Sequence, residues 1–154
     1  MIVYLHGFRS SPASHKAQQL KAHMRQRGLG GQFWCEQLPV APNVAVAVVE
    51  SAIARCSAPP TLVGSSLGGF YATWLAEKHG LRAVLINPVV LAQFSLAEFV
   101  GPQTNLYTGE AFEFLPSHVA ELAALEVMAP TRLQRYWLLV ETGDELLDYR
   151  HAVA

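Results

Sequence analysis

The chain has 154 residues, of which 51% are hydrophobic and 15% are charged, and its formal net charge is −1. This length suits one domain with a single core, and the sparse charge suits a sheet that is buried on both faces. The near-zero net charge and the lack of a basic block argue against nucleic acid as a partner, and no apolar run reaches the roughly 18 residues that a membrane span needs.

Apolar runs that read as β-strands recur along the chain, at 2–5, 33–38, 61–63, 83–86 and 136–140. Helices are predicted between them, at 15–27 and at 70–77. Segment 44–54 is ambiguous, because its alternating valines and alanines also suit a strand. The Pro42-Asn43 start and the regular alternation of strands with helices favour a helix there.

Strands that alternate with helices predict a parallel sheet with right-handed crossovers. Before the last strand lies a longer insertion, about 89–135, with helical stretches at 93–100 and 117–125 around a turn-rich 101–109. This insertion is expected to form a lid over the carboxyl ends of the strands, where the sites of α/β proteins lie. The alternative is a peripheral segment that only packs against the core.

The most informative motif is Gly64-Ser65-Ser66-Leu67-Gly68, followed by Gly69. It fits G-x-S-x-G, in which a serine occupies a sharp turn from a buried strand to a helix and glycines leave room for that turn. Ser66 is therefore the predicted nucleophile, and the backbone N–H of Leu67 is a predicted oxyanion donor. The alternative is a tight glycine turn without chemistry.

The loop after the first strand, His6-Gly7-Phe8-Arg9, is expected to complete the site from the other side. The Phe8 N–H is the predicted second oxyanion donor, and Gly7 permits the close approach of this loop. His6, Gly7 and Arg9 are predicted to border the substrate. Arg9 would meet an anionic group, with a solvated surface arginine as the alternative, and His6 is expected to be a hydrogen-bonded structural residue rather than a base.

A triad acid and base should follow the nucleophile along the chain. Asp144, after a glycine turn that follows strand 136–140, is the predicted acid. Its alternative role is a helix N-cap, with Glu145 and Asp148 as other candidates for the acid. His151, on a helix beyond the acid, and His118, in the insertion, are candidates for the base, but both are better explained as non-catalytic histidines.

The two cysteines, Cys35 and Cys56, lack C-x-x-C spacing and are predicted to be reduced thiols of a cytoplasmic protein. No cluster of histidine and cysteine has metal-ligand spacing, so no metal is expected. Met1 leads directly into a strand, without the apolar core of a signal peptide.

With these residues placed, the chain resembles the small bacterial serine esterases of the YqiA type, a compact branch of the α/β-hydrolases. The resemblance extends over essentially the whole chain and is carried by Tyr4-Leu5-His6-Gly7-Phe8, Ser10-Ser11-Pro12, the nucleophile motif with Gly69, Tyr71-Ala72-Thr73-Trp74-Leu75, Asn87-Pro88, Tyr107-Thr108-Gly109, Thr142-Gly143-Asp144-Glu145 and Leu147-Asp148-Tyr149-Arg150. It implies hydrolysis of carboxylic esters or acyl thioesters by a Ser-Asp-His triad without a cofactor, with Ser66 as nucleophile and Asp144 as acid. Members of that family continue through a further strand to a histidine loop. The resemblance therefore implies that the triad histidine is missing from this chain and that an edge strand is exposed.

We therefore expect one α/β domain over residues 1–154, C-terminally incomplete, with a parallel sheet of about five strands in the order 2-1-3-4-5 flanked by helices. The predicted function is a serine esterase or thioesterase that acts on a small acyl ester or thioester through an acyl-enzyme on Ser66. The alternatives are a non-catalytic binding protein of the same fold, since the triad histidine is absent, and a nonspecific acyltransferase. The chain is expected to be a monomer, or an oligomer formed through the exposed edge.

Overall fold

The computed structural model describes residues 1–141 and 150–153. Strands and helices alternate along most of this length, and the elements in chain order are β1 (Ile2–Leu5), α1 (His15–Gln26), β2 (Phe33–Trp34), α2 (Pro42–Ala54), β3 (Thr61–Ser65), α3 (Leu67–His79), β4 (Arg82–Ile86), α4 (Ala92–Leu96), β5 (Gly101–Thr104), β6 (Ala111–Phe114), α5 (Pro116–Ala124), β7 (Tyr136–Leu139) and α6 (Arg150–Val153). The ambiguous segment 44–54 belongs to helix α2, as the alternation of strands and helices favoured.

The main sheet has five parallel strands in the order β2-β1-β3-β4-β7. This confirms the predicted order, because β7 is the fifth strand of the sheet in chain order. Parallel strands bring their carboxyl ends to one edge. The loop after β1, the turn after β3 and the segment after β4 therefore meet at that edge, where Leu5 lies opposite Gly64 and Ser65 lies opposite Ile86.

The core forms around α3, which is apolar on nearly every side and is accordingly buried. Its Leu75 side chain is completely enclosed and packs in one cluster with residues of β1, β3 and α2, including Val3, Leu62 and Val49. Enclosing a leucine of this kind stabilises the fold by about 2 kcal/mol relative to leaving it in water. A smaller cluster on the other face of the sheet joins Tyr4 and Val63 to Ala17 of α1.

Two segments differ from the sequence-based expectation. Strand β2 ends at Trp34, short of the predicted 33–38, and further along the segment the Leu38 N–H donates to His6 Nε2 (3.0 Å) rather than to a neighbouring strand. The predicted helical insertion contains helices α4 and α5, but its turn-rich part also contains β5, which pairs with β6 in an antiparallel hairpin. We call β5, β6 and the turn between them the inserted hairpin.

No helix in the described part of the chain combines the length and the apolar character that crossing a membrane requires.

Candidate active site

The backbone of Ser66 adopts a conformation that residues other than glycine seldom take, with φ 54° and ψ −121°. Ser66 lies in the sharp turn between β3 and α3. Its N–H donates to the Ile86 carbonyl oxygen (3.1 Å), and its own carbonyl oxygen accepts from the N–H groups of Gly69 (2.9 Å) and Val89 (3.1 Å). These bonds hold a turn whose strain costs about 1–3 kcal/mol. The turn presents the Ser66 side chain at the carboxyl edge of the sheet.

Three glycines around this turn lie where a side chain would collide with backbone. A Cβ atom on Gly68 would overlap the Leu5 carbonyl group, and one on Gly64 would overlap the backbone of Gly68. A Cβ on Gly69 would lie 2.7 Å from Pro88 Cβ. The start of α3 therefore approaches the neighbouring strands backbone to backbone, which is the close packing that the nucleophile motif predicts.

The loop after β1 lies directly beside Ser66. We call residues 6–11, which include the predicted oxyanion donor Phe8, the oxyanion loop. A Cβ atom on Gly7 would stand 3.1 Å from Ser66 Cβ and 3.6 Å from Ser66 Oγ, so only glycine leaves the serine side chain free. Neither the Phe8 N–H nor the Leu67 N–H, the first amide of α3, has an acceptor among the described residues. Both residues line a cleft of about 340 Å³.

His6 is buried and hydrogen-bonded through both ring nitrogens. Its Nε2 accepts from the Leu38 N–H (3.0 Å), which fixes the proton on Nδ1, and Nδ1 donates to the Gly7 carbonyl oxygen (3.0 Å). Burial lowers the pKa of His6, so the ring is neutral at pH 7. With Nε2 occupied, the ring is not placed to accept a proton from Ser66. It instead holds the oxyanion loop against the segment that follows β2.

Arg9 connects the oxyanion loop to the inserted hairpin. Its backbone has φ 56°, its Nε donates to the Thr104 carbonyl oxygen (3.1 Å), and its carbonyl oxygen accepts from the Leu106 N–H (2.8 Å). Arg9 also lines the cleft, so the residue predicted to meet an anionic substrate group is at the same time a support for the loop.

Asn105 is a buried residue that the sequence analysis did not identify. Its Nδ2 donates to the Ser10 carbonyl oxygen (2.7 Å), and its Oδ1 accepts from the N–H groups of Tyr107 (2.9 Å) and Thr108 (3.1 Å). The signal in the sequence is an asparagine that opens a turn closed by Gly109, since asparagine side chains bond to backbone two residues ahead. The side chain thus shapes its own turn and ties it to the oxyanion loop.

The Phe8 ring is held by three phenylalanines of the insertion, Phe99, Phe112 and Phe114. The ring centroids lie 5.6, 5.8 and 5.0 Å away, each in an edge-to-face arrangement. Aromatic pairs of this geometry stabilise by about 0.5–1.5 kcal/mol beyond their area burial. The sequence indicated Phe8 only for its amide, but its side chain is what anchors that amide.

The predicted acid, Asp144, and the other candidates Glu145 and Asp148 lie outside the described residues. The segment leading to them leaves β7 at the same sheet edge as Ser66. The Glu141 N–H donates to Asn87 Oδ1 (2.7 Å), and the Asn87 N–H donates to the Leu139 carbonyl oxygen (2.8 Å).

The candidate bases lie away from the cleft. His118 Nδ1 accepts from the Leu115 N–H (3.1 Å), and its ring packs against Phe114. His151 lines a separate groove of about 590 Å³ beside Phe70 and Thr73. Among residues 1–141 and 150–153, His6 is the histidine that lines the cleft.

Cys35 and Cys56 are free thiols in the structure, and burial raises the pKa of Cys35 to about 11. Within the described ranges, no three His, Cys, Asp or Glu side chains are grouped so that they would hold a metal ion.

Comparison with known proteins identifies the family and the fold. The chain matches UPF0227, described as an uncharacterised protein family, over residues 1–154. Among solved structures it is similar to alpha/beta hydrolase domain-containing protein 10 from mouse, with 18% identity and a TM-score of 0.68 over 99% of this chain and 72% of the mouse chain.

It is also similar to a Paleococcus ferrophilus monoacylglycerol lipase, with 16% identity and a TM-score of 0.70 over 99% of this chain and 77% of the lipase. A third similar structure is Est1E from Butyrivibrio proteoclasticus with ferulic acid bound, with 12% identity and a TM-score of 0.60 over 99% of this chain and 72% of that one. Identities this low establish the fold alone. The chain belongs to UPF0227, the family of YqiA-like proteins, and has the α/β-hydrolase fold.

Proposed function

We propose that this protein is a serine esterase that hydrolyses carboxylic esters or acyl thioesters through an acyl-enzyme on Ser66. The observation that carries the proposal is the arrangement around the strained turn. Ser66 lies beside Gly7, and Phe8 and Leu67, whose N–H groups have no acceptor among the described residues, line the adjoining cleft. Two such donors are what a tetrahedral intermediate needs for its oxyanion.

In the proposed reaction, Ser66 Oγ attacks the acyl carbonyl carbon while its proton passes to a general base. The carbonyl oxygen becomes an oxyanion that accepts hydrogen bonds from the Phe8 and Leu67 N–H groups. Collapse of this intermediate breaks the bond to the alcohol or thiol, which leaves with the proton. A water molecule then attacks the Ser66 ester, the base takes its proton, and the carboxylic acid is released as Ser66 regains a proton.

Asp144 is proposed to orient the base. The support is its place in the chain, five residues beyond the end of β7, whose carboxyl end lies beside that of β4. Asn87 holds the first part of this segment by accepting from the Glu141 N–H. Asp144 would thus follow β7, which is separated by β4 from β3, the strand that leads to Ser66.

The cleft favours a small, mostly apolar acyl group. Its volume is about 340 Å³, at the lower end of ligand sites, and its walls include Leu38, Pro39, Val40 and Phe112. Two of the similar structures are a monoacylglycerol lipase and a protein with ferulic acid bound, which agrees with an ester as the substrate class.

The second candidate is a non-catalytic protein that binds an acyl ligand in the same cleft. It is favoured by the histidines of the described residues. His6 uses both ring nitrogens for backbone hydrogen bonds, the His118 ring packs against Phe114, and His151 lines a different groove.

Hydrolysis of p-nitrophenyl butyrate and labelling by a fluorophosphonate separate the two. A serine esterase would show both with the wild-type chain and neither with Ser66→Ala, while Ser65→Ala, which changes the adjacent serine, would keep the label. A folded wild-type chain that binds butyryl ligands but shows neither turnover nor label would establish the binding protein. Labelling that survives Ser66→Ala would show that the nucleophile is a different residue.

A further inference from the structure

Tyr71 is a buried polar residue of the cleft that the proposed reaction does not use. Tyr71 lies on the second turn of α3, is only 3% exposed, and lines the cleft. Its hydroxyl makes no hydrogen bond to any described residue, although buried tyrosine hydroxyls ordinarily have a partner. Such a group is a candidate contact for a ligand.

The Tyr71 oxygen faces open space. Among the described residues, the side-chain polar atom that is both fully enclosed and without a hydrogen-bond partner is Gln93 Oε1. The Tyr71 oxygen also lacks a partner but does not belong to that class, so it is not fully enclosed. The open space that Tyr71 borders is the cleft. Burial raises the pKa of Tyr71, and the Glu121 carboxylate nearby acts in the same direction. The hydroxyl accordingly keeps its proton at physiological pH and can donate it.

The other buried polar side chains of the cleft are already engaged. His6 is bonded to Leu38 and Gly7, and Asn105 is bonded to Ser10 and its own turn. Gln37, at the cleft margin, donates to the Ser10 carbonyl oxygen at 3.1 Å. Tyr71 therefore offers a buried hydrogen-bond donor that is still free for a ligand entering this apolar space. A few fixed polar groups in an apolar cleft are what orients a ligand.

The position of Tyr71 on the helix sets where the ligand must carry an acceptor. Leu67 and Tyr71 are one turn apart on the same face of α3, which separates them by about 6 Å along the axis. If the ester carbonyl lies at the Leu67 amide, an acyl chain that extends into the cleft comes within reach of the Tyr71 hydroxyl. This step rests on the proposed function, which supplies the position of the carbonyl.

We propose that Tyr71 is a specificity-determining residue, whose hydroxyl donates a hydrogen bond to an oxygen carried by the acyl chain. The preferred substrates are then esters of oxygen-bearing acids, with hydroxy, keto or alkoxy groups, over esters of plain alkanoic acids of the same length.

The test compares heptanoyl ligands with isosteres in which one chain CH₂ is replaced by oxygen: 3-propoxypropanoyl, 4-ethoxybutanoyl and 5-methoxypentanoyl. Methyl ketones carrying these chains need no nucleophile, so their Kd values can be measured by NMR titration in every variant. For each ether, the ratio of its affinity to that of the alkyl ketone is measured in the wild type and in Tyr71→Phe. The ratio in Tyr71→Phe reports the cost of burying the ether oxygen when the hydroxyl is absent. Tyr107→Phe, which changes an exposed tyrosine in the turn of the inserted hairpin, is the matched control.

For at least one oxygen position, we expect the ratio of ether to alkyl affinity to be about 3- to 10-fold higher in the wild type than in Tyr71→Phe. Tyr107→Phe should match the wild type, and Ser66→Ala should keep the preference. Equal ratios in the wild type and Tyr71→Phe at all three positions would overturn the inference.

The matching p-nitrophenyl esters separate this result from the proposed function. Hydrolysis that depends on Ser66 but shows no effect of Tyr71 on the ether-to-alkyl ratio would reject the inference alone. An ether preference in ketone binding without any hydrolysis would reject the esterase and leave the inference about the cleft in place.

Discussion

The Asn105 side-chain amide donates a hydrogen bond to the Ser10 carbonyl oxygen at 2.7 Å and so joins the inserted hairpin to the oxyanion loop. A second bond, from the Leu106 N–H to the Arg9 carbonyl oxygen at 2.8 Å, runs alongside it. The loop that carries the Phe8 amide is therefore held by an element nearly one hundred residues away in the sequence. In the proposed reaction, the position of that amide decides how well the oxyanion is bound.

Asn105→Ala should lower kcat/KM for p-nitrophenyl butyrate by about tenfold or more, because a small displacement of a donor weakens its bond to the developing charge. The effect should fall mainly on kcat, since the donor acts on the transition state. Asn43→Ala, which removes an exposed asparagine side chain at the start of α2, is the control. A loss of stability in Asn105→Ala with unchanged kcat/KM would show that this residue supports the fold only.

Gly68→Ala should destabilise the protein strongly. Its Cβ would overlap the Leu5 carbonyl group, and neither backbone can move without disturbing the sheet. We expect a loss of about 3 kcal/mol in the free energy of unfolding, the upper part of the range for overpacking. Gly31→Ala is the matched control, because no atom lies within 4 Å of its new Cβ. Urea denaturation of both variants measures the difference, and similar midpoints would contradict the close approach of α3 to β1.

The strain at Ser66 predicts an order of stability among its variants. Glycine adopts φ 54° without the strain that alanine retains, and that strain of about 1–3 kcal/mol exceeds the extra chain entropy of a glycine, about 0.4–1 kcal/mol. Ser66→Gly should therefore be more stable than Ser66→Ala by about 1 kcal/mol, although both lack the nucleophile. Denaturant unfolding of the two variants gives this difference directly. Ser66→Ala emerging as the more stable variant would mean that the turn is relaxed.

The buried His6 predicts that stability falls in mild acid. Burial lowers the pKa of His6 below the ordinary histidine value of 6.5, so the unfolded chain binds more protons than the folded chain in mild acid. The contribution of His6 to stability is complete above about pH 6.5 and is lost as the pH falls through the lowered pKa. Unfolding midpoints measured from pH 8 to pH 5 should decline, and His6→Asn should decline less steeply. The exposed His15 provides a control, since His15→Asn should follow the wild type.

The main sheet and the turn at Ser66 were predictable because their signals are local. Each strand of the sheet is a short apolar run, and the helix between β3 and β4 starts at Leu67, within a motif whose glycines make room for the turn. The motif needs glycines at these positions because a Cβ atom on Gly64 or Gly68 would overlap backbone atoms. Alternation of strands and helices then restricts the strand order.

The inserted hairpin and the cleft were not predictable in the same way, because they depend on contacts between distant segments. Strand β5 contains Gly101 and Pro102 and lacks the apolar alternation of a strand, so its pairing with β6 is visible only in the fold. The segment that follows β2 is held by His6, whose Nε2 accepts from the N–H of Leu38, more than thirty residues further along the chain. Asn105 and Tyr71 became candidates for function only when their hydrogen bonds, or the lack of them, were known.

In the proposed reaction, the inserted hairpin links substrate range to reaction rate. Phe112 forms part of the cleft wall, while its ring and that of Phe114 fix the Phe8 side chain. A mutation that reshapes this wall for a new substrate therefore also moves a proposed oxyanion donor. Directed evolution of a broader substrate range should accordingly recover paired changes, one in the hairpin and a compensating one in residues 6–11. In the proposed enzyme, grafting the hairpin of another protein of the α/β-hydrolase fold without its partner loop should yield a folded protein of poor turnover.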